Sequence, residues 1–210
     1  MPNPEQVKSI YDISLKDCDG IENMLVTFKG MVTLIINTTG ECGNAPQFGI
    51  IETLYQEYKD RGFRVLAVPT NDFCGPKVTY GIYECGIADA KASEHYGKSA
   101  YSVTYPFSEL VSSKEDPHEL YRNLNPDGEE APMWGNFEKF LVDRHGRQCL
   151  RVPNFVLLGY AFKDGLCDSP EIELARLKKY IELILDEPYD PNETVGPNRK
   201  FNWQDYLALA

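Results

Sequence analysis

The sequence predicts an α/β fold, a central mixed β-sheet flanked by helices, and three stretches carry that expectation. Met31 to Asn37 is a nearly continuous apolar run, as suits a strand covered on both faces, and a helical pattern then leads to a second apolar run, Phe63 to Pro69. Phe137 to Val152 reads as two strands around a polar turn ending in Gly146. Ser169-Pro170-Glu171 opens a long helix with a capping serine, proline at the first helical position and early acids.

Taken in order, residues 9 to 16, Ser-Ile-Tyr-Asp-Ile-Ser-Leu-Lys, largely alternate apolar and polar, which predicts a half-buried strand. Asp17-Cys18-Asp19-Gly20 is turn chemistry, and Asn23 to Phe28 returns as the expected hairpin partner. After the strand of residues 31 to 37, Phe48, Ile51, Leu54, Tyr55 and Tyr58 fall at helical spacing, with Pro46 in the first turn and Arg61-Gly62 as the stop. Strand, helix, strand makes a right-handed crossover between parallel strands. The carboxyl ends at Asn37 and Pro69 then open on one sheet edge, where ligands bind in such sheets.

Between residues 70 and 100, Gly81 and Gly86 predict a loop or broken helix first and a helix second. Tyr101 to Phe107 reads as extended, Pro117 to Tyr121 as a short helix start, and 123 to 132 as a polar loop; 153 to 168 carries no assignable pattern. The helix from Ser169 to about Asp186 is expected to bury Ile172, Leu174, Leu177, Tyr180, Ile181, Leu183, Ile184 and Leu185.

The 210 residues suit one domain, expected over 1–187, with an irregular tail over 188–210. With 42% hydrophobic and 25% charged residues, the composition is that of an ordinary globular protein. The 21 basic and 32 acidic residues give a net charge of -11, which argues against a nucleic acid or anionic membrane as partner, since either needs a cationic footprint. No basic leader with an apolar core opens the chain, and no apolar run approaches the roughly 18 residues of a membrane span. A cytoplasmic protein without a membrane span is expected.

None of Cys18, Cys42, Cys74, Cys85, Cys149 and Cys167 forms a C-x-x-C pair, so a zinc ribbon, a dithiol motif and a disulfide framework are all disfavoured. His95, His118 and His145 are scattered in polar surroundings, and the glycines fit no phosphate-binding fingerprint. No metal or bound cofactor is expected, and redox chemistry would use single thiols. Cys42 stands out among them. It follows a buried strand, sits in the polar loop Thr38 to Gly43, and precedes a helix N-terminus. The partial positive charge and free N–H groups there favour a thiolate, drawing the thiol down from about 8.5. An isolated cysteine is ordinarily a small buried hydrophobe; the loop position favours a reactive one.

The order βαβ, long connection, hairpin, helix is that of a thioredoxin-like domain. Ser9 to Gly20, then Phe28-Lys29-Gly30 and Leu34 to Asn37, resemble the opening of the glutathione peroxidase family. In that family an asparagine ends the strand and the peroxidatic residue follows five positions later, before glycine, a spacing that Asn37 and Cys42-Gly43 keep. Gly62 to Pro69 with Asn71-Asp72-Phe73 resembles the second family block, Val103 to Phe107 the third, and Trp134 with Asn136 to Asp143 the fourth. Together the four blocks span roughly residues 9 to 185.

The resemblance implies a thiol peroxidase that reduces hydrogen peroxide or organic hydroperoxides. Cys42 would be the nucleophile, Trp134 and Asn136 donors, and Asp72 would stand where the family has a glutamine. An ionised carboxylate offers no donor and raises a neighbouring thiol, so Asp72 is either a departure within the site or a loop residue turned to solvent. Gly135 separates Trp134 from Asn136, a pair that is adjacent in the family; without a gap, Gly135 takes the tryptophan's place. Thioredoxin or glutathione would be the reductant, with Cys85 and then Cys74 as candidate resolving cysteines; the family's own position for one holds Gly97. The alternative is a catalytically impaired thioredoxin-like binding protein on the same scaffold, with the aromatic tail as a docking segment. A thiol–disulfide oxidoreductase is weakened by Ala45, which stands where the second cysteine of a C-x-x-C would be.

Overall fold

The computed structural model describes residues 9–74, 86–130, 132–158, 168–200 and 203–209. Its sheet has four strands, β1 (Val32–Thr38), β2 (Phe63–Pro69), β3 (Lys139–Val142) and β4 (Gln148–Val152), in the spatial order β2-β1-β3-β4. β1 and β2 run parallel in the register Val32↔Phe63 to Thr38↔Pro69, while β3 lies antiparallel to both β1 and β4. The mixed sheet expected from the sequence is therefore present, with Asn37 and Pro69 opening on one edge.

Both faces are covered, which is why β1 is buried along its whole length. On one face, Leu34, Ile36, Val65 and Leu141 pack against α1 (Gln47–Tyr58) through Phe48, Ile51 and Leu54, and against α4 (Pro170–Asp186) through Leu177, Ile181 and Ile184. On the other, Ile35, Leu66 and Phe140 meet the N-terminal segment and α3 (Glu119–Leu124). α2 (Ala90–Tyr101) is capped by Asp89, whose side chain accepts from the Ala92 N–H.

The N-terminal hairpin expected from alternation is replaced by two short 3-10 turns, Ile10–Asp12 and Met24–Phe28. The alternation reports burial here rather than a ladder. Ile10, Ile13 and Leu15 face the core, while Ser9 Oγ accepts from the Tyr11 N–H and donates to His145 O. The Tyr11 hydroxyl donates to Met31 O at 2.5 Å.

α4 begins at the expected cap, with the Ser169 hydroxyl accepting from the Ile172 N–H. Its buried stripe is narrower than expected: Ile172 and Leu183 are 39% and 53% exposed, whereas Glu173 and Arg176 are buried as a pair at 3.0 Å. The C-terminal segment explains the substitution of polar for apolar there. Arg176 Nε donates to Leu207 O from the last helix, α5 (Trp203–Leu207), whose Tyr206 is buried against the core. Upstream of α5, the Gln148 N–H donates to Asn198 Oδ1 and the Arg199 N–H to Gln148 O, so this segment covers the free edge of β4. No helix among the described residues is long and apolar enough to cross a membrane.

Candidate active site

Cys42 lies between the end of β1 and the start of α1, where the chain must turn from the sheet edge onto its face. Bonds from the Ala45 N–H to Cys42 O at 3.0 Å and from the Gln47 N–H to Asn44 O at 3.1 Å wind the loop into the helix. The Cys42 thiol is half-buried against the core and free. Burial pushes it up, and the backbone N–H groups of Asn44 and Ala45, directed at the sulfur, pull it down without cancelling that effect. The depressed thiol expected at a helix N-terminus is thus not the resting state, because desolvation outweighs the donors.

Asn37, buried at the end of β1, fastens the opposite wall. Its Nδ2 donates to Gly135 O at 3.0 Å, its Oδ1 accepts from the Glu138 N–H at 2.7 Å, and its carbonyl accepts from the Phe137 N–H at 2.7 Å. Asn136, buried between these anchors, comes to the cysteine loop through its carbonyl, which accepts from Asn44 Nδ2 at 3.0 Å. The Asn44 side chain therefore ties the cysteine loop to the backbone of Asn136. Tyr96 of α2 stands on another side. Burial, then a hydrogen bond with Tyr101 and the charges of Glu41 and Cys42, raise its hydroxyl.

Trp134 and Asp72 are placed otherwise than a donor role requires. Trp134 is 75% exposed, and its backbone N–H donates to Glu138 Oε2 at 3.1 Å. The space beside Gly135, which takes the tryptophan's place when the blocks are aligned without a gap, is taken: a Cβ there would lie 2.5 Å from Asn154 Nδ2. Asp72 gives its carboxylate to the 112–113 segment, accepting from the Ser113 N–H, from Ser113 Oγ at 2.8 Å and from Ser112 Oγ at 3.3 Å. Burial pushes its carboxyl up, but the Ser113, Thr70 and Ser112 donors outweigh it and hold it below the usual range. The side chain acts as an acceptor that pins a loop.

Cys74 is disulfide-bonded, and since Cys18, Cys42 and Cys149 are free, its partner lies outside the described residues. That bond departs from the single-thiol expectation, because the absence of a C-x-x-C pair says nothing about cysteines distant in sequence that pair in space. Cys74 Sγ lies 3.3 Å from Thr39 Oγ1, three residues before Cys42. Cys85 lies outside the described residues. Among the described residues no group of three His, Cys, Asp or Glu side chains is set to hold a metal ion.

Two neighbours of the loop escaped the sequence reading. Gln47 is fully buried, with Nε2 donating to Asn154 O at 2.7 Å, and its Oε1 has no partner among the described residues. Lys139 is fully buried on β3. Only Lys139 carried a legible signal: a lysine at the head of the apolar run Phe140 to Val142, in a segment that reads as a strand.

Comparison with known proteins gives these residues a context. The family model described as glutathione peroxidase matches residues 10–125. Among curated relatives, the glutathione peroxidase homolog BsaA of Staphylococcus epidermidis is 38% identical over 145 residues, 67% of this chain and 85% of its own length. The glutathione peroxidase-like peroxiredoxin gpx1 of Schizosaccharomyces pombe is 38% identical over 142 residues, 65% of this chain and 84% of its own. The crystal structure of Trgpx in apo form superposes with a TM-score of 0.61 at 25% identity, covering 87% of this chain and 99% of that one.

Proposed function

The chain belongs to the glutathione peroxidase family and is a peroxide-reducing oxidoreductase, and we propose that its chemistry runs through the thiolate of Cys42. The sulfur attacks one peroxide oxygen, the O–O bond breaks, and water or an alcohol leaves with a proton while Cys42 becomes a sulfenic acid. Two reductant thiols then return the sulfenic acid to the thiol, releasing water and leaving a disulfide on the reductant.

The observation that carries this reading is the free Cys42 thiol receiving the Asn44 and Ala45 N–H groups while Asn44 ties its loop to Asn136. Those donors do not make the thiolate the resting form, so acceleration comes from how the peroxide and the departing oxygen are held. Asn136 is the proposed side-chain donor. Trp134, being exposed, and Asp72, engaged with Ser112 and Ser113, stand outside the donor set in this arrangement.

For the second half-reaction we favour a protein dithiol such as thioredoxin over glutathione, because a chain of net charge -11 offers a poor dock for an anionic tripeptide. Cys74, already bonded near Thr39, is the candidate that could relay electrons, with Cys85 as the other.

The test is to mix the reduced protein with stoichiometric hydrogen peroxide and follow thiol loss in wild type and Cys42→Ser. Fast loss in wild type that vanishes in the variant is expected, and peptide mass analysis then reads whether Cys42 becomes bridged to Cys74 or Cys85. Cys42 reacting no faster than free cysteine overturns the assignment.

A further inference from the structure

A lysine with no solvent exposure, placed on the core-facing side of a sheet, needs a reason to be there. Lys139 begins β3 between its register partners Ile36 and Val152, both buried in the same apolar cluster. Its ammonium is not idle: Nζ donates to Phe137 O at 2.7 Å, to Pro153 O at 3.0 Å and to Asn154 O at 3.4 Å. The three carbonyls match the three N–H donors of the ammonium form, and because burial lowers the amine to about 7, the neutral form keeps two of those donors above that pH. Glu138, the next residue on the strand, is the charge that opposes its desolvation.

These carbonyls belong to a closed circuit around the cysteine loop. Asn154 O also accepts from Gln47 Nε2 at 2.7 Å, the Gln47 N–H donates to Asn44 O at 3.1 Å, and Asn44 Nδ2 donates to Asn136 O at 3.0 Å. Asn136 is joined to Phe137, whose carbonyl returns to Nζ. Phe137 itself sits at φ 71°, a left-handed conformation that costs a side-chain-bearing residue about 1–2 kcal/mol and persists only where its surroundings hold it. Asn37 O holds its N–H and Lys139 holds its carbonyl.

We propose that Lys139 is a positioning residue for the cysteine site, holding the 136–137 turn, the 153–154 loop and the start of α1 as one unit that aims the Asn44 and Ala45 N–H groups at Cys42. The inference rests on the reading of Cys42 as the reactive thiol. A carbonyl staple of this kind acts on geometry, so its effect is read at the sulfur and not only in stability.

The test is the pH dependence of Cys42 alkylation by iodoacetamide, read by peptide mass, in the full chain. Lys139→Met keeps the volume and removes all three donors. It is expected to raise the apparent Cys42 pKa and slow alkylation at pH 7 by about five- to tenfold, about what losing one aligned donor to the thiolate costs. Lys139→Gln, with two donors, is expected to fall between.

Asn44→Ala breaks the circuit at its half-buried end and serves should Lys139→Met fail to fold. It is expected to shift the profile alike, and a folded double variant is expected to lose no more than either single one. A folded Lys139→Met or Asn44→Ala whose alkylation profile stays within about twofold of wild type overturns the proposal. The readout needs no peroxide, so a wild type that alkylates as expected yet ignores peroxide would sink the peroxidatic assignment while leaving this inference standing.

Discussion

Replacing Asn37 with alanine is the sharpest probe of the wall that faces Cys42. The side chain is fully buried and makes two bonds to main chain, from Nδ2 to Gly135 O at 3.0 Å and to Oδ1 from the Glu138 N–H at 2.7 Å. Asn37→Ala leaves a carbonyl and an N–H unsatisfied, each at about 1–3 kcal/mol, so a loss of about 3 kcal/mol or more is expected. For a chain of 210 residues that lowers the melting temperature by about 6–12 °C. Urea unfolding at constant m-value measures it. The same change frees the backbone of 135–138, so the rate with hydrogen peroxide should drop about tenfold in protein that is still folded. If the variant loses less than about 1 kcal/mol and keeps its rate, strand pairing alone holds the turn and the clamp argument fails.

Four further outcomes follow from the site. Asp72→Gln is expected to weaken the 112–113 loop by about 1–3 kcal/mol without speeding the reaction, since the side chain faces Ser112 and Ser113; a rate gain would place position 72 in the site. Trp134→Ala, at an exposed position, should change stability by no more than about 0.5 kcal/mol and the peroxide rate by no more than about twofold, whereas a larger rate loss would return the indole to the donor set. Because burial raises the Cys42 thiol, its alkylation rate should still be climbing above about pH 8.5, and a plateau below pH 8 would contradict that environment. Burial pushes the Lys139 amine down to about 7 from 10.5. Between these values the unfolded chain binds the proton and the folded one does not, so the stability of wild type relative to Lys139→Met should rise with pH, by at most about 1.4 kcal/mol per unit; a flat difference would refute the shift.

The parallel pair, the hairpin of β3 and β4, the cap at Ser169 and the cysteine loop were all legible in the residues, because each rests on local chemistry. Apolar periodicity, turn residues and caps act within a few positions of the chain. Alternation over 9 to 16 was a weaker guide, since a segment can bury its apolar side chains without joining a ladder, as Ile10, Tyr11, Ile13 and Leu15 do in and after one 3-10 turn. Ile172 and Leu183 mark the same limit on α4, where α5 returned to pair with Arg176 and moved the buried stripe.

By itself the sequence determined the α/β class, the edge on which Asn37 and Pro69 end, and Cys42 as the thiol that stands there. Only the tertiary structure decided what surrounds it. It turned Asp72 to Ser112 and Ser113, left Trp134 exposed, and brought Asn136, Gln47, Asn154 and Lys139 into one circuit about the loop. Those contacts join residues up to 107 positions apart, and their geometry follows from how three separate turns pack at one end of the sheet. Residue type and spacing carry no record of that distance, and a buried hydrogen bond exists only where packing has brought donor and acceptor within about 3 Å of one another.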